Sequence, residues 1–293
     1  MSQLVVAPTM TEPLDKINIP FPIALTIAGS DSGGGAGIQA DLKTFHQYGV
    51  YGTSVVVAVT AQNTLGVTAV HEIPVDIVTG QMAALAEDIL PHATKTGMLA
   101  SPELIEAVAS SIRRLKFSRL VVDPVIVATS GDRLLSEGAE QTLVEQLVPL
   151  ATIVTPNLHE AAALAGHPVT TIDDMENAGR KLLDMGAEAV LVKGGHLENS
   201  EEIVDVLITP AETHHFAHPR LESTSTHGTG CTLSAAITAE LACGTHLGSA
   251  VENAINFVHR AIEQAPTIGQ GHGPLNHFVA ARMQTVRDSS HGT

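Results

Sequence analysis

Pro22-Ile23-Ala24-Leu25-Thr26-Ile27-Ala28 is a short apolar run that stops at Gly29, the pattern of a buried strand. Gly29-Ser30-Asp31-Ser32-Gly33-Gly34-Gly35-Ala36-Gly37 follows as a loop, and Ile38 to Tyr48 has the period of an amphipathic helix closed by Gly49. The alternation continues outward from this unit. Ser54 to Val59 is β-branched and continuous, as in a strand covered on both faces. Val67 to Ile73 alternates like a strand of a smaller edge sheet. Further strands are expected at 93–98, 120–122, 152–155 and 189–193, with a hairpin pair at 203–208 and 214–217. Helices are expected at 76–90, 102–115, 137–147, 158–165, 173–185, 231–242 and 248–264. Strands alternating with helices imply an α/β protein: a doubly wound, mainly parallel sheet with helices on both faces, a three-layer α/β/α sandwich.

The chain has 293 residues, enough for a sizeable core. It carries 31 acidic and 15 basic side chains, a formal charge of -16. So negative a surface argues against nucleic acid and anionic membranes as partners, though not against a small polyanion held by a local cation and backbone amides. Two cysteines, Cys231 and Cys243, do not make a disulfide framework, and a reducing cytoplasm fits. No apolar run is long enough to span a membrane, and residues 1–20 lack the layout of a secretory signal. They read as a loose tail, as do residues 288–293.

In a doubly wound sheet, ligands bind outside the carboxyl ends of the strands. The polar oddities of this chain fall there: Ser30-Asp31, Gln62-Asn63, Asp123, Asn157 with Glu160, Lys193-Gly194-Gly195, and the turn Thr226-His227-Gly228-Thr229-Gly230-Cys231. That turn runs into an alanine-rich helix. Its glycines let a ligand approach the main chain, and the unpaired amides and positive dipole of a helix start suit an anion, phosphate above all. Cys231 stands at the helix entrance, where a thiol is expected to be acidified, so a base beside an anion hole is in place for phosphoryl transfer to a hydroxyl. A plain glycine turn before a packed helix, with Cys231 a small core residue, is the alternative. Gly35-x-Gly37-x-x-Ala40 matches a dinucleotide fingerprint in spacing, but Thr60-Ala61-Gln62-Asn63 stands where its acid is wanted, and no Gly-Lys-Ser/Thr follows. Asn157-x-x-Glu160 is either a capping box or a helix start whose Glu160 holds Mg²⁺ through water. Asp123 needs a metal or a donor; Lys193 is a phosphate cation or a snorkelling surface lysine. Asp41 and Gln62 offer hydrogen bonds to a heterocycle. The 15 histidines make no convincing metal spacing.

The segments Ala24–Asp31, Gly34–Phe45, Ala61–Thr64, Lys95–Leu99, Thr155–Asn157, Glu160-Ala161, Lys193–His196 and His227–Cys231 closely resemble, in order, the hydroxymethylpyrimidine/phosphomethylpyrimidine kinases of thiamine biosynthesis, members of the ribokinase-like superfamily. The resemblance implies one kinase domain over 21–287. It implies ATP-dependent phosphorylation of 4-amino-5-hydroxymethyl-2-methylpyrimidine and then of its monophosphate, in a cytoplasmic homodimer. It assigns Gln62, Asp41, Met98, Val125 and Gly29 to the pyrimidine, and Gly228, Gly230 and Cys231 to catalysis. Lys193, Asn157, Thr226 and Gly195 fall to ATP and its phosphates, and Asp123 and Glu160 to Mg²⁺; a monovalent cation such as K⁺ is a further candidate cofactor. Sugar kinases of this superfamily end the Gly-x-Gly-x motif in an aspartate; Cys231 here points to the pyrimidine kinases or their pyridoxal-kinase relatives. A pyridoxal kinase and a non-catalytic pyrimidine sensor are the competing readings; the phosphate machinery argues against the sensor.

Overall fold

The apolar run at the start of the chain becomes the strand around which the sheet reverses. In the computed structural model, residues 21–126, 135–136, 138–195 and 202–281 are described. The tails expected at 1–20 and 288–293, His196, and Glu137 at the expected start of one helix lie outside them. Strand β1 (Ile23–Asp31) leads into helix α1 (Gly37–Gln47), and β2 (Tyr51–Asn63) returns parallel to it. Then come β3 (Gly66–Glu72), α2 (Val75–Asp88), β4 (Ala93–Thr96), α3 (Pro102–Leu115), β5 (Leu120–Val122) and α4 (Ala139–Gln146). The chain continues through β6 (Ile153–Val154), α5 (Leu158–Ala165), α6 (Ile172–Asp184), β7 (Val190–Val192), β8 (Glu202–Ile208), β9 (Thr213–Pro219), α7 (Thr229–Ala242) and α8 (Leu247–Glu263).

Among the described residues these strands form one sheet of order β3-β2-β1-β4-β5-β6-β7-β8-β9. Strands β1, β2 and β4 to β7 run parallel, with β3 antiparallel at one edge and the β8–β9 hairpin antiparallel at the other. The middle strands are short and buried throughout, as parallel strands covered on both faces must be. One core joins them to α2–α6 through residues such as Met82, Ile105, Leu143, Ala161 and Met175; the other joins the opposite face to α1, α7 and α8 through Phe45, Ile237 and Phe257. This is the expected α/β/α sandwich. Helix α7 is buried on nearly every side, which its alanines allow by letting α1 and α8 approach closely.

The order places β2 on one side of β1 and β4 on the other. That reversal opens a crevice at the carboxyl ends of the strands.

Candidate active site

A cavity of about 980 Å³ fills this crevice. Its lining includes Gly29, Gln62, Met98 and Val125; Asp123, Asn157, Glu160, Lys193 and Gly195, here called the floor; and Thr226, Gly228, Gly230 and Cys231 of the turn before α7. Of the residues given a role in the site by the sequence, all but Asp41 line this cavity; Asn63 and Gly194, noted only for their place at strand ends, do not.

Asp41 is a correction. Its side chain is fully buried on α1, where Lys95 Nζ donates to Oδ1 at 2.7 Å and Thr26 Oγ1 to Oδ2 at 2.6 Å. Burial penalises the Lys95 ammonium, and the facing Asp41 carboxylate outweighs that penalty, so Lys95 is held above its ordinary range. Lys95 also reaches the carbonyl of Cys231 at 3.4 Å. The carboxylate is thus taken up by Lys95 and Thr26, and through Lys95 it lies behind the glycine turn, away from the cavity lining. Lys95 carried a usable signal: a charge inside a four-residue buried strand needs an opposite charge.

The turn is built as its glycines suggest. Gly228 has φ 83, and a Cβ there would collide with the carbonyl oxygen of Gly35. Thr232 N makes the first helical bond, to Gly228 O at 2.8 Å, so the amides of Gly230 and Cys231 precede the ladder and face the cavity end of α7. A Cβ on Gly230 would sit 3.3 Å from Lys193 Nζ and 3.8 Å from Asp123, filling the space between turn and floor. Gly37 (φ 55) starts α1, and a Cβ there would strike Gly29 O; the glycines of this loop serve close backbone packing, without a dinucleotide site.

On the floor, Lys193 Nζ lies 3.4 Å from Asp123 Oδ1 and 3.8 Å from Glu160 Oε2. Desolvation opposes its charge, but Asp123 and Glu160 raise it. Asp123 also accepts from Ser234 Oγ at 3.1 Å, the donor its burial requires. Asn157 and Glu160 do form a capping box: Glu160 N donates to Asn157 Oδ1 at 2.9 Å and Asn157 N to Glu160 Oε2 at 2.8 Å. Capping and site-lining are thus one arrangement, because the box aims Glu160 at Lys193. Burial pushes the Glu160 carboxyl up. Among the described residues no group of three or more His, Cys, Asp or Glu could hold a metal by itself. Two oxygen-bearing acids beside a lysine suit Mg²⁺ only if phosphates and water complete its shell.

Cys231 requires a second correction. Its half-buried thiol is not acidified: burial pushes it up to about 12, against the opposing pull of Lys95, while Asp41 and Asp123 add to the rise. Desolvation of the buried thiol and two carboxylates nearby outweigh the pull of the helix dipole. Elsewhere in the lining, Val125 has φ 40, a strained value for a β-branched residue, and Met98 closes on Gly29, whose absent Cβ would lie 2.6 Å from the Met98 methyl. The sequence reading noted Asp31 and His227 but not their meeting: His227 Nε2 lies 2.9 Å from Asp31 Oδ2.

A parallel sheet with a glycine anion turn, a lysine between two acids and an apolar slot beside them defines a class, the small-molecule kinases of ribokinase-like fold. The family model "Phosphomethylpyrimidine kinase" matches residues 31–276, and the chain belongs to that family. It is 48% identical over 259 residues to the hydroxymethylpyrimidine/phosphomethylpyrimidine kinase of Bacillus subtilis, spanning 88% of this chain and 96% of that one. The crystal structure of phosphomethylpyrimidine kinase from Clostridium difficile matches with a TM-score of 0.74 and 43% identity, covering 82% of this chain and 99% of that one. The pyridoxal kinase of Staphylococcus aureus in complex with AMP-PCP and pyridoxal matches with a TM-score of 0.80 and 34% identity, covering 88% and 94%. The chain is a kinase, and ATP is its phosphoryl donor.

Proposed function

We propose that this kinase phosphorylates the hydroxymethyl group of 4-amino-5-hydroxymethyl-2-methylpyrimidine, then the resulting monophosphate. The observation that carries this reading is near-half identity along almost the whole length of a relative with that name, combined with a cavity lined by Gly29, Met98, Val125 and the side-chain amide of Gln62. The ring would lie between Gly29, Met98 and Val125 with Gln62 at its edge. Its hydroxyl would then face the turn, where the amides of Gly230 and Cys231 meet charge on the transferring group. Lys193 would bind phosphate oxygens from below, with Asn157, Gly195 and Thr226 around the chain of phosphates. Asp123 and Glu160 would hold Mg²⁺ with the nucleotide, partly through water, and the ion would neutralise phosphate charge; K⁺ is a further candidate there. Cys231 would take the hydroxyl proton.

A pyridoxal kinase is the second reading, because a kinase of that name shares the fold at 34% identity and pyridoxal is also a flat heteroaromatic with a hydroxymethyl group. ATP consumption with the pyrimidine alcohol, its monophosphate and pyridoxal, run side by side, separates them. Turnover with both pyrimidines, abolished by EDTA, is expected. Turnover with pyridoxal alone would reject the pyrimidine assignment, and full activity in EDTA would reject the Mg²⁺ site. We also propose a homodimer working in the cytoplasm; no helix among the described residues is long and apolar enough to cross a membrane.

A further inference from the structure

Asp31 ends β1 at 2 % exposure and gathers four donors. Gly33 N donates to Oδ1 at 2.7 Å, and Gly35 N and Ala36 N to Oδ2 at 2.9 and 2.8 Å. The fourth is His227 Nε2, 2.9 Å from Oδ2. Burial works against the charge, but the bonds from His227, Ala36 and Gly33 hold this carboxyl below its ordinary range. A carboxylate only accepts, so His227 must carry its proton on Nε2.

That proton decides the state of a neighbour. The amide nitrogen of Gln62 lies 3.4 Å from the same His227 Nε2, which sets donor against donor. On the other side, Thr60 Oγ1 is within reach of two acceptors, Ser30 O at 2.9 Å and Gln62 Oε1 at 3.2 Å, yet it has one hydrogen. Exchanging the oxygen and nitrogen of the Gln62 amide, two ends of nearly equal shape, removes the clash of donors and leaves Thr60 one acceptor. Gln62 Oε1 then shares the single Nε2 hydrogen of His227 with Asp31, as the longer, weaker arm of a bifurcated bond, and Gln62 Nε2 donates to Thr60 Oγ1, whose own hydrogen goes to Ser30 O. We infer that His227 is a positioning residue: with Asp31 behind it and Thr60 opposite, it fixes which end of the Gln62 amide faces each neighbour. The hydrogen-bonding sense offered to the ring of the substrate is thereby set. One amide hydrogen of Gln62 and one lone pair of its oxygen remain for the ligand. Because His227 immediately precedes Gly228, the same contact ties the ring-binding end to the anion turn.

This inference rests on the pyrimidine-kinase reading only for what fills the cavity. The test uses the full-length enzyme labelled with ¹⁵N, with the His227 ring assigned by loss of its signals in His227→Asn. Protonated Nε2 in the free enzyme is expected; a bare Nε2 overturns the inference, whatever the substrate proves to be. Binding of the pyrimidine alcohol is then measured for Gln62→Ala, His227→Ala and the double variant. Each single change should weaken binding about tenfold, and the double variant should be no weaker than Gln62→Ala. Its KM for the alcohol should rise while that for ATP holds. Losses that multiply to about a hundredfold in the double variant would mean that His227 acts independently of Gln62. Should His227→Ala not fold, Thr60→Val removes the opposite partner and is expected to weaken alcohol binding alike; unchanged binding would count against the inference. A wild-type enzyme that binds no pyrimidine alcohol defeats the functional reading, while the tautomer still decides this one.

Discussion

Cys231 shows how far one residue's chemistry depends on its surroundings. A helix start favours a thiolate, yet here burial wins and the thiol is pushed up to about 12. If Cys231 is the base, its active form is a minority at neutral pH and grows tenfold for each pH unit below that value. The turnover rate should therefore climb about tenfold per unit between pH 7 and 9, and Cys231→Ala should lower it by roughly 10²–10⁴ with substrate binding largely kept. A flat profile with a near-normal Cys231→Ala enzyme would leave catalysis to the amides and Lys193. Asp41 makes the opposite prediction. Asp41→Asn leaves the Lys95 ammonium buried without its ion-pair partner, a loss of roughly 3–5 kcal/mol visible in thermal melts. The KM for the pyrimidine should scarcely move in enzyme that remains folded, whereas a large KM effect without lost stability would restore Asp41 as a ligand contact.

Among the elements, the turn before α7 admits a paired test. Gly228→Ala forces a side chain into a left-handed backbone and against Gly35 O, so the turn must leave the loop it rests on. Turnover should drop on the order of 10²–10³, the scale of a lost anion-hole donor, with helix content by circular dichroism unchanged. Gly230→Ala lacks the backbone strain but places a methyl 3.3 Å from Lys193 Nζ, so it should raise the KM for ATP more than that for the pyrimidine. Equal effects of the two changes would mean that the turn does not divide its work in this way. Elements of this kind were legible because their signals are local: α3 and α5 begin and end where proline, capping and apolar period place them. Strand β2 runs on to Asn63, four residues past its apolar stretch, because β3 pairs with it as far as Gly66. What the sequence hid is long-range. Asp41 and Lys95 stand 54 positions apart and His227 and Asp31 stand 196 apart, and no period along the chain encodes such meetings. The burial that reverses the expected acidity of Cys231 is likewise a property of the packed turn, invisible in the motif.

Seen whole, the sheet is protected unevenly. Its far edge, β9, carries polar residues such as Thr213, His214 and His215, which discourage pairing with another chain. The near edge differs. The β2–β3 hairpin presents Val59 at 47%, Leu65 at 67% and Val70 at 48% exposure, with Ile77 of α2 at 53% close by in sequence. Apolar side chains on an open edge are a liability in a solitary molecule, and a second copy of the chain covering that hairpin is the simplest remedy. A two-fold pair would bury the same patch on both partners. Sedimentation of the full-length protein should accordingly give a dimer. Val70→Lys should shift it toward monomer, because a lysine from each copy would enter the shared patch, while each subunit keeps its melting temperature within a few degrees. A protein that sediments as a monomer at micromolar concentration, or a Val70→Lys variant that stays dimeric, would remove this edge as the contact.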